Sequence, residues 1–394
     1  MTVILFDDQF RNNLLPISYT RPVSEIRVGI LTIAEKWAHH FKTKPYYQTE
    51  EYLQDKYPYH SGESNLLING SVCPDEELKE AIDRLGEGDA LVAGEILIAV
   101  KLNEHGAKEF DLEHIDRFKK HELSGPLIKM SFPEDIFRYN GQEISKDYKV
   151  LTEGRTSAAI STTNTVLGDN IFLEEGANAE CATFNTTQGP IYLGKNTQVW
   201  EGSHIRGAFA LCEESIVKMG AKIYGMTTIG PYSKAAGEIN NAVIFGNSAK
   251  GHEGYLGNSV IGEWCNIGAD SNNSNMKNNY AEVRLWDYQK ESFRKTGMQF
   301  CGLIMADHSK CGINTMFNTG TVVGVGANIF GAGFPRNFIP DFSWGGSHGF
   351  ETYSLKKMFE TAERVYERKK EVFGEIDKKI LTKVFELSEK YRRF

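Results

Sequence analysis

The stretch whose reading decides the fold runs from Ile191 to Gly230: IYLGKNTQVWEGSHIRGAFALCEESIVKMGAKIYGMTTIG. Leu193, Val199, Ile205, Leu211, Val217, Ile223 and Ile229 stand six apart without a break. Two residues before the later six stand Thr197, Ser203, Phe209, Ser215, Ala221 and Thr227, five of them small. A spacing of two in a strand puts both side chains on one face. Each six-residue unit therefore reads as a short strand with an aliphatic residue inside and a small one beside it, near a corner. Three units make a triangular coil of 18 residues. Stacked coils pair their backbones in parallel and bury a continuous aliphatic column.

The pattern resumes at Ile261 and Ile267, each followed by a glycine, and again at Ile313, Thr319 and Val325. The interruptions, about 235–260 and 272–302, are expected to leave the coil as loops, and loops on a rigid scaffold are where sites tend to sit. Upstream, residues 1–155 read as an α/β domain. Val3–Phe6, Leu66–Ile68, Ala90–Ala93 and Ile96–Val100 are strand candidates, while Val28–His40 and Pro74–Leu85 have helical spacing. Alternating strands and helices imply a mainly parallel sheet. The coil is expected over 156–345. A helical segment follows over 346–394, with Gly374 as the point where it divides.

Composition is that of an ordinary globular chain: 394 residues, 41% hydrophobic and 24% charged. A net charge of −8 argues against nucleic acid or an anionic membrane surface as the main partner. The amino terminus, MTVILFDDQF, lacks a basic segment followed by a long apolar run, and six cysteines without a C-x-x-C pair read as reduced thiols. A cytoplasmic protein is expected, with no metal site.

The segment between repeat blocks, Ser248-Ala-Lys-Gly-His252-Glu-Gly-Tyr255 and onward through Asn266 and Ala269 to Asn275, carries the chemistry-bearing side chains. It closely resembles the acetyltransferase half of GlmU-type enzymes, whose stretch has a His, a Tyr three later, an Asn fourteen later and a second Asn twenty-three later. His252, Tyr255, Asn266 and Asn275 keep all three intervals. The resemblance implies a left-handed parallel β-helix and direct transfer of an acetyl group from acetyl-CoA to the amine of a sugar phosphate. His252 would be the base, for which an imidazole is suited near neutral pH. Tyr255, Asn266 and Asn275 would hold sugar and phosphate oxygens, Ala269 would lie near the CoA, and Lys218 falls where those enzymes place a phosphate-binding arginine. The resembling enzymes build each site between neighbouring copies, so a homotrimer is expected.

Departures concern the acceptor. Glu238-Ile-Asn-Asn241 replaces a Lys-Lys pair, Ile313 replaces a serine, and the insertion 276–300 is long. Over nearly the full length, Leu15-Pro-Ile-Ser-Tyr-Thr-Arg21-Pro22, Gly262-Glu-Trp-Cys-Asn266 and Cys311-Gly-Ile-Asn-Thr-Met-Phe-Asn-Thr-Gly320 resemble a bacterial family of GlmU-like sugar nucleotidyltransferases labelled glucose-1-phosphate thymidylyltransferase-like.

The first domain is expected to have a nucleotide-diphospho-sugar transferase fold in degenerate or divergent form. Where such enzymes carry a Gly-rich loop to cradle a triphosphate, this chain reads Asp7-Asp-Gln-Phe-Arg-Asn-Asn13, and Ser71 stands where a metal-binding aspartate is expected. Asp7 and Arg21 are the residues left to form a nucleotide site, and Mg²⁺ is expected only if that domain is active. The alternative reading is a sugar-1-phosphate nucleotidyltransferase using UTP or dTTP, with the coil as a trimerising scaffold. A metal-dependent hydratase built on His204, His252 and His308 is a lesser rival, since these lack that family's close spacing.

Overall fold

A computed structural model describes residues 1–394. The chain divides into two compact units: residues 1–14, 20–26 and 31–132 form one, and residues 15–19, 27–30 and 133–394 the other.

The first unit holds a six-stranded sheet in the order Tyr46–Gln48, Thr2–Phe6, Ser64–Asn69, Ile96–Asn103, Asp89–Ala93, Lys119–Glu122. Three of its pairings are parallel, but Ile96–Asn103 runs antiparallel to both of its neighbours. The connection Gly94-Glu95 sets its direction against Asp89–Ala93: two residues close a hairpin, and a parallel crossover needs a dozen or more. Ile4, Phe6, Leu67, Val92 and Val100 form the core of one sheet face. The helix expected from Val28 spans Ile33–Phe41 instead. Thr32 starts it with a capping box: its hydroxyl accepts the Glu35 N–H at 3.1 Å, and the Glu35 carboxylate accepts the Thr32 N–H at 2.6 Å.

The second unit is a parallel β-solenoid. Leu193, Leu211, Ile229 and Ile244 lie in its single aliphatic core, with Val199, Val217 and Ala235. Each such leucine, isoleucine or valine, fully buried, contributes about 1.5–3 kcal/mol. The small residues beside that column have a second role. Ser215 Oγ donates to Gly230 O at 2.7 Å and accepts the Ser233 N–H at 3.0 Å; Ser248 Oγ donates to Gly262 O at 2.7 Å and accepts the Cys265 N–H at 2.9 Å. Hydroxyls thus clamp successive coils at a corner too tight for larger side chains. Phe209, the exception to smallness, is itself buried in the core.

The period slips where the candidate chemistry lies. Ile216 pairs with Lys234 eighteen residues on, but Lys234 pairs with Ala249 after fifteen, and Ala249 with Asn266 after seventeen. Residues 235–260 therefore do not leave the coil as the repeat pattern suggests. Glu238–Ile244 and Tyr255–Ile261 are long strands that pair with each other and round a corner. The second interruption does leave, as a hairpin of Arg284–Asp287 and Ser292–Lys295. The C-terminal segment forms helices Leu355–Arg368 and Glu375–Leu387, divided at Gly374, after a strand Gly349–Thr352 that takes its first residues. No helix is long and apolar enough to cross a membrane.

Candidate active site

Strands Ala249–Lys250, Asn266–Ile267 and Lys310–Cys311 lie side by side on one face of the solenoid. Helix Leu355–Arg368 packs there through Tyr366, whose ring stacks on Trp264 with centroids 3.7 Å apart. The face and the helix enclose a cavity of ≈ 870 Å³. Four of the sequence candidates line it: Lys218, His252, Asn266 and Ala269. His252 and Asn266 are exposed, and Lys218 and Ala269 half-buried.

The cavity wall is cationic. Lys218, Lys234, Lys310, Arg368 and Lys369 contribute, against the single carboxylate of Glu214. Burial lowers the pKa of Lys310, and brings that of Lys369 down to about 8. Desolvated cations facing one space, with little to neutralise them, favour an anionic occupant.

The His252 loop is held from below by two ammonium groups. Lys218 Nζ donates to Gly251 O at 2.9 Å, and Lys250 Nζ donates to His252 O at 2.8 Å and to Ala236 O at 2.9 Å. Lys250 was not among the sequence candidates. Strand register places it in line with Val217 and Ala235, pointing into the aliphatic column, and it is 2% exposed. Desolvation brings its pKa down to about 8. Its signal in the sequence is a lysine on the inward side of a hexapeptide strand, two residues before His252. That signal is readable only once the fifteen-residue rung is known.

Tyr255 and Asn275 are brought together, but they do not line this cavity. Asn275 Nδ2 donates to the Tyr255 hydroxyl at 2.9 Å and to Asn258 Oδ1 at 2.8 Å. The phenol lies back along its own strand: a Cβ on Gly257 would stand 2.2 Å from its oxygen. Burial raises its pKa, so it is a neutral donor. Cys265 lines the cavity but is buried, with Sγ 3.1 Å from Ala306 O; burial pushes the Cys311 thiol up. That environment keeps the Cys311 sulfur a thiol. His308 belongs to the aromatic cluster, its ring nearly parallel to those of Trp264 and Tyr366 at centroid distances of 6.4 and 6.1 Å, and no group of three or more His, Cys, Asp or Glu side chains is placed to hold a metal.

In the first unit, Asp7 and Arg21 lie on neighbouring segments with Arg11 between them. Asp7 accepts from Arg11 Nε at 2.9 Å and from the Val23 N–H at 2.8 Å, while Arg11 also reaches Arg21 O at 3.5 Å. Arg21 is only 4% exposed. Asp8 is likewise engaged, with Lys129 Nζ and Asn69 Nδ2 each at 3.0 Å. These carboxylates are already matched to cations, so the residues present do not fit a Mg²⁺ site.

Residues 3–156 match the family model described as sugar nucleotidyl transferase. The Bifunctional protein GlmU of Methanocaldococcus jannaschii is 34% identical over 89 residues, 22% of this chain and 21% of that protein. Proteins of the same name from Methanococcus aeolicus and Methanococcus maripaludis are each 33% identical over 97 residues, 23% of this chain and 22% of theirs. The chain spans about a fifth of the length of these curated relatives. Among solved structures, Arabidopsis UDP-N-acetylglucosamine acyltransferase aligns with 59% of this chain and 91% of its own, at 16% identity and a TM-score of 0.22. Residues 3–156 are thus similar to a sugar nucleotidyl transferase domain, and the chain joins this α/β unit to a parallel β-solenoid.

Proposed function

We propose that the chain is a transferase that moves the acetyl group of acetyl-CoA to the amine of an amino-sugar phosphate of the glucosamine-1-phosphate kind, in nucleotide-sugar synthesis. One observation carries this reading: His252 stands at a cavity whose wall holds five cationic side chains and one acidic one, beside Asn266 and Ala269. Both substrates bring phosphates, which the lysines and Arg368 would hold. The amine nitrogen attacks the thioester carbonyl carbon, and a backbone N–H stabilises the oxyanion. His252 takes the proton the nitrogen loses, the C–S bond breaks, and the departing CoA sulfur takes a proton back from the imidazolium. The products are the N-acetyl sugar phosphate and free CoA. Tyr255 and Asn275 reach sugar oxygens only from outside the cavity wall, as binding groups of a shared site between copies in a trimer. Six free cysteines, five of them buried, accord with a reducing cytoplasm.

Thiol release from acetyl-CoA, followed across a panel of amino-sugar phosphates, tests the reading. His252→Ala should lower turnover by about 100-fold or more; unchanged turnover sinks the mechanism.

The family match over residues 3–156 favours a second reading, sugar-1-phosphate nucleotidyl transfer with the solenoid as scaffold. Pyrophosphate release from UTP or dTTP with a sugar-1-phosphate tests it. The salt-bridged Asp7 and Asp8 make the acetyl transfer the preferred reading.

A further inference from the structure

A second cavity, of ≈ 670 Å³, shares no lining residue with the first. The hairpin Arg284–Asp287/Ser292–Lys295, the solenoid corner near Thr319 and Phe338, and the final residues of the chain surround it. Its volume is that of an ordinary small-molecule site. Five cationic side chains line it, Lys277, Arg284, Arg336, Lys390 and Arg393, against the one carboxylate of Glu291. Glu291 is already taken, by Lys390 at 2.9 Å and Arg393 at 4.0 Å.

The other three cations have no carboxylate partner. Lys277 donates to a backbone carbonyl, that of Glu282, at 2.9 Å. Arg336 lies over the rings of Phe350 and Phe394, each 5.4 Å from its centroid, and burial lowers its pKa. Cations grouped around one space make a local positive field that attracts an anion. Aromatic side chains stand beside the charges: Trp286, Phe293, Phe338 and Tyr391 line a wall of the cavity, Trp286 stacked on Phe338 with centroids 4.2 Å apart. The buried indole N–H of Trp286 has no hydrogen-bond partner. Buried donors ordinarily find an acceptor, so this one is a polar group still owed a partner.

We propose that this cavity binds a nucleoside phosphate. Lys277, Arg284 and Arg336 hold the phosphoryl oxygens, and the base lies along the Trp286–Phe338 wall. A ring-free anion would use only the cations, and a neutral nucleoside only the wall. The combination therefore selects molecules carrying both.

Calorimetric titration with UDP, pyrophosphate and uridine tests this. UDP is expected to bind more tightly than either half by about tenfold or more. Arg284→Ala with Arg336→Ala should weaken UDP by about tenfold per guanidinium, with a cooperative thermal transition confirming that the variant is folded. Trp286→Leu should weaken UDP but not pyrophosphate. UDP binding that survives the double arginine variant unchanged lies elsewhere in the chain and overturns the proposal, as does uridine binding equal to UDP. His252→Ala should bind UDP like the parent, so this outcome is separate from that of the acetyl-transfer test.

Discussion

Lys250 shows what one side chain does in this fold. An ammonium inside an aliphatic column is expensive to bury, and it is kept there by two carbonyl acceptors, Ala236 O and His252 O. Its position ties the base-bearing loop to the coil beneath. Lys250→Met keeps the volume, loses both hydrogen bonds and removes the desolvation cost. These opposing terms nearly cancel in stability. The melting midpoint should therefore shift by only a few degrees, while kcat for thiol release falls about tenfold and KM for acetyl-CoA holds. An equal loss in both parameters would show that the lysine acts on binding instead. Asp341 gives a pH signature. It is fully buried, accepts the Val325 N–H at 2.7 Å and the Tyr288 hydroxyl at 3.0 Å, and burial pushes its pKa up to about 6. Its folded pKa lies above that of an unfolded aspartate, so the native state binds more protons between about pH 4 and pH 6. This group's contribution to stability is present below pH 4 and lost as pH rises to 6, by about 2–3 kcal/mol. Subtracting the stability curve of Asp341→Asn from that of the parent should isolate this fall; a flat difference would refute it.

Among the elements, the C-terminal helix and the coil corners carry separate predictions. Tyr366 anchors the helix on Trp264, and Arg368 and Lys369 follow it into the cavity wall. Tyr366→Ala should cost about 3 kcal/mol in denaturant unfolding, expose the Trp264 indole to solvent with a red-shifted emission, and raise KM for acetyl-CoA. Unchanged emission would place the helix elsewhere in solution. Two corner glycines are needed for different reasons. A Cβ at Gly207 would meet Gly189 O of the preceding coil at 1.9 Å, whereas at Gly220 it would meet nothing within 4 Å, the constraint being a φ of +69°. Gly207→Ala should destabilise by about 1–3 kcal/mol through overpacking, and Gly220→Ala by about 1 kcal/mol through backbone strain. Thermal unfolding that ranks them in the reverse order would contradict this account of the corners.

At the level of the whole molecule, the solenoid presents large apolar side chains to solvent: Met219 is 62% exposed, Tyr224 45%, Tyr232 46% and Ile313 69%. The trimer proposed above would bury such side chains between copies. Sedimentation equilibrium should give three times the 44.3 kDa chain mass. Charge substitution of Met219 and Tyr224 together should dissociate the assembly and abolish thiol release if the active site is shared. A fully active monomer would show that each copy carries a whole site.

By itself, the amino-acid sequence determined the solenoid, its aliphatic column and its hydroxyl-lined corners. Each is a local property: the period of two within a strand and of six between strands repeats along neighbouring residues, and every coil restates it. The His252, Asn266 and Ala269 grouping was legible only through the resemblance of their residue types and intervals to the GlmU-type acetyltransferase stretch. The tertiary structure alone decided that Tyr255 and Asn275 pair apart from that cavity, that Lys250 points inward, and that a helix more than a hundred residues later closes the wall over Lys218. It also decided that the first sheet is mixed and that its aspartates answer to Arg11 and Lys129. Those outcomes depend on contacts between segments far apart in the chain and on a coil shortened from eighteen residues to fifteen. Spacing along a sequence carries no measure of either, because the free energy that selects them is released only when the distant surfaces meet.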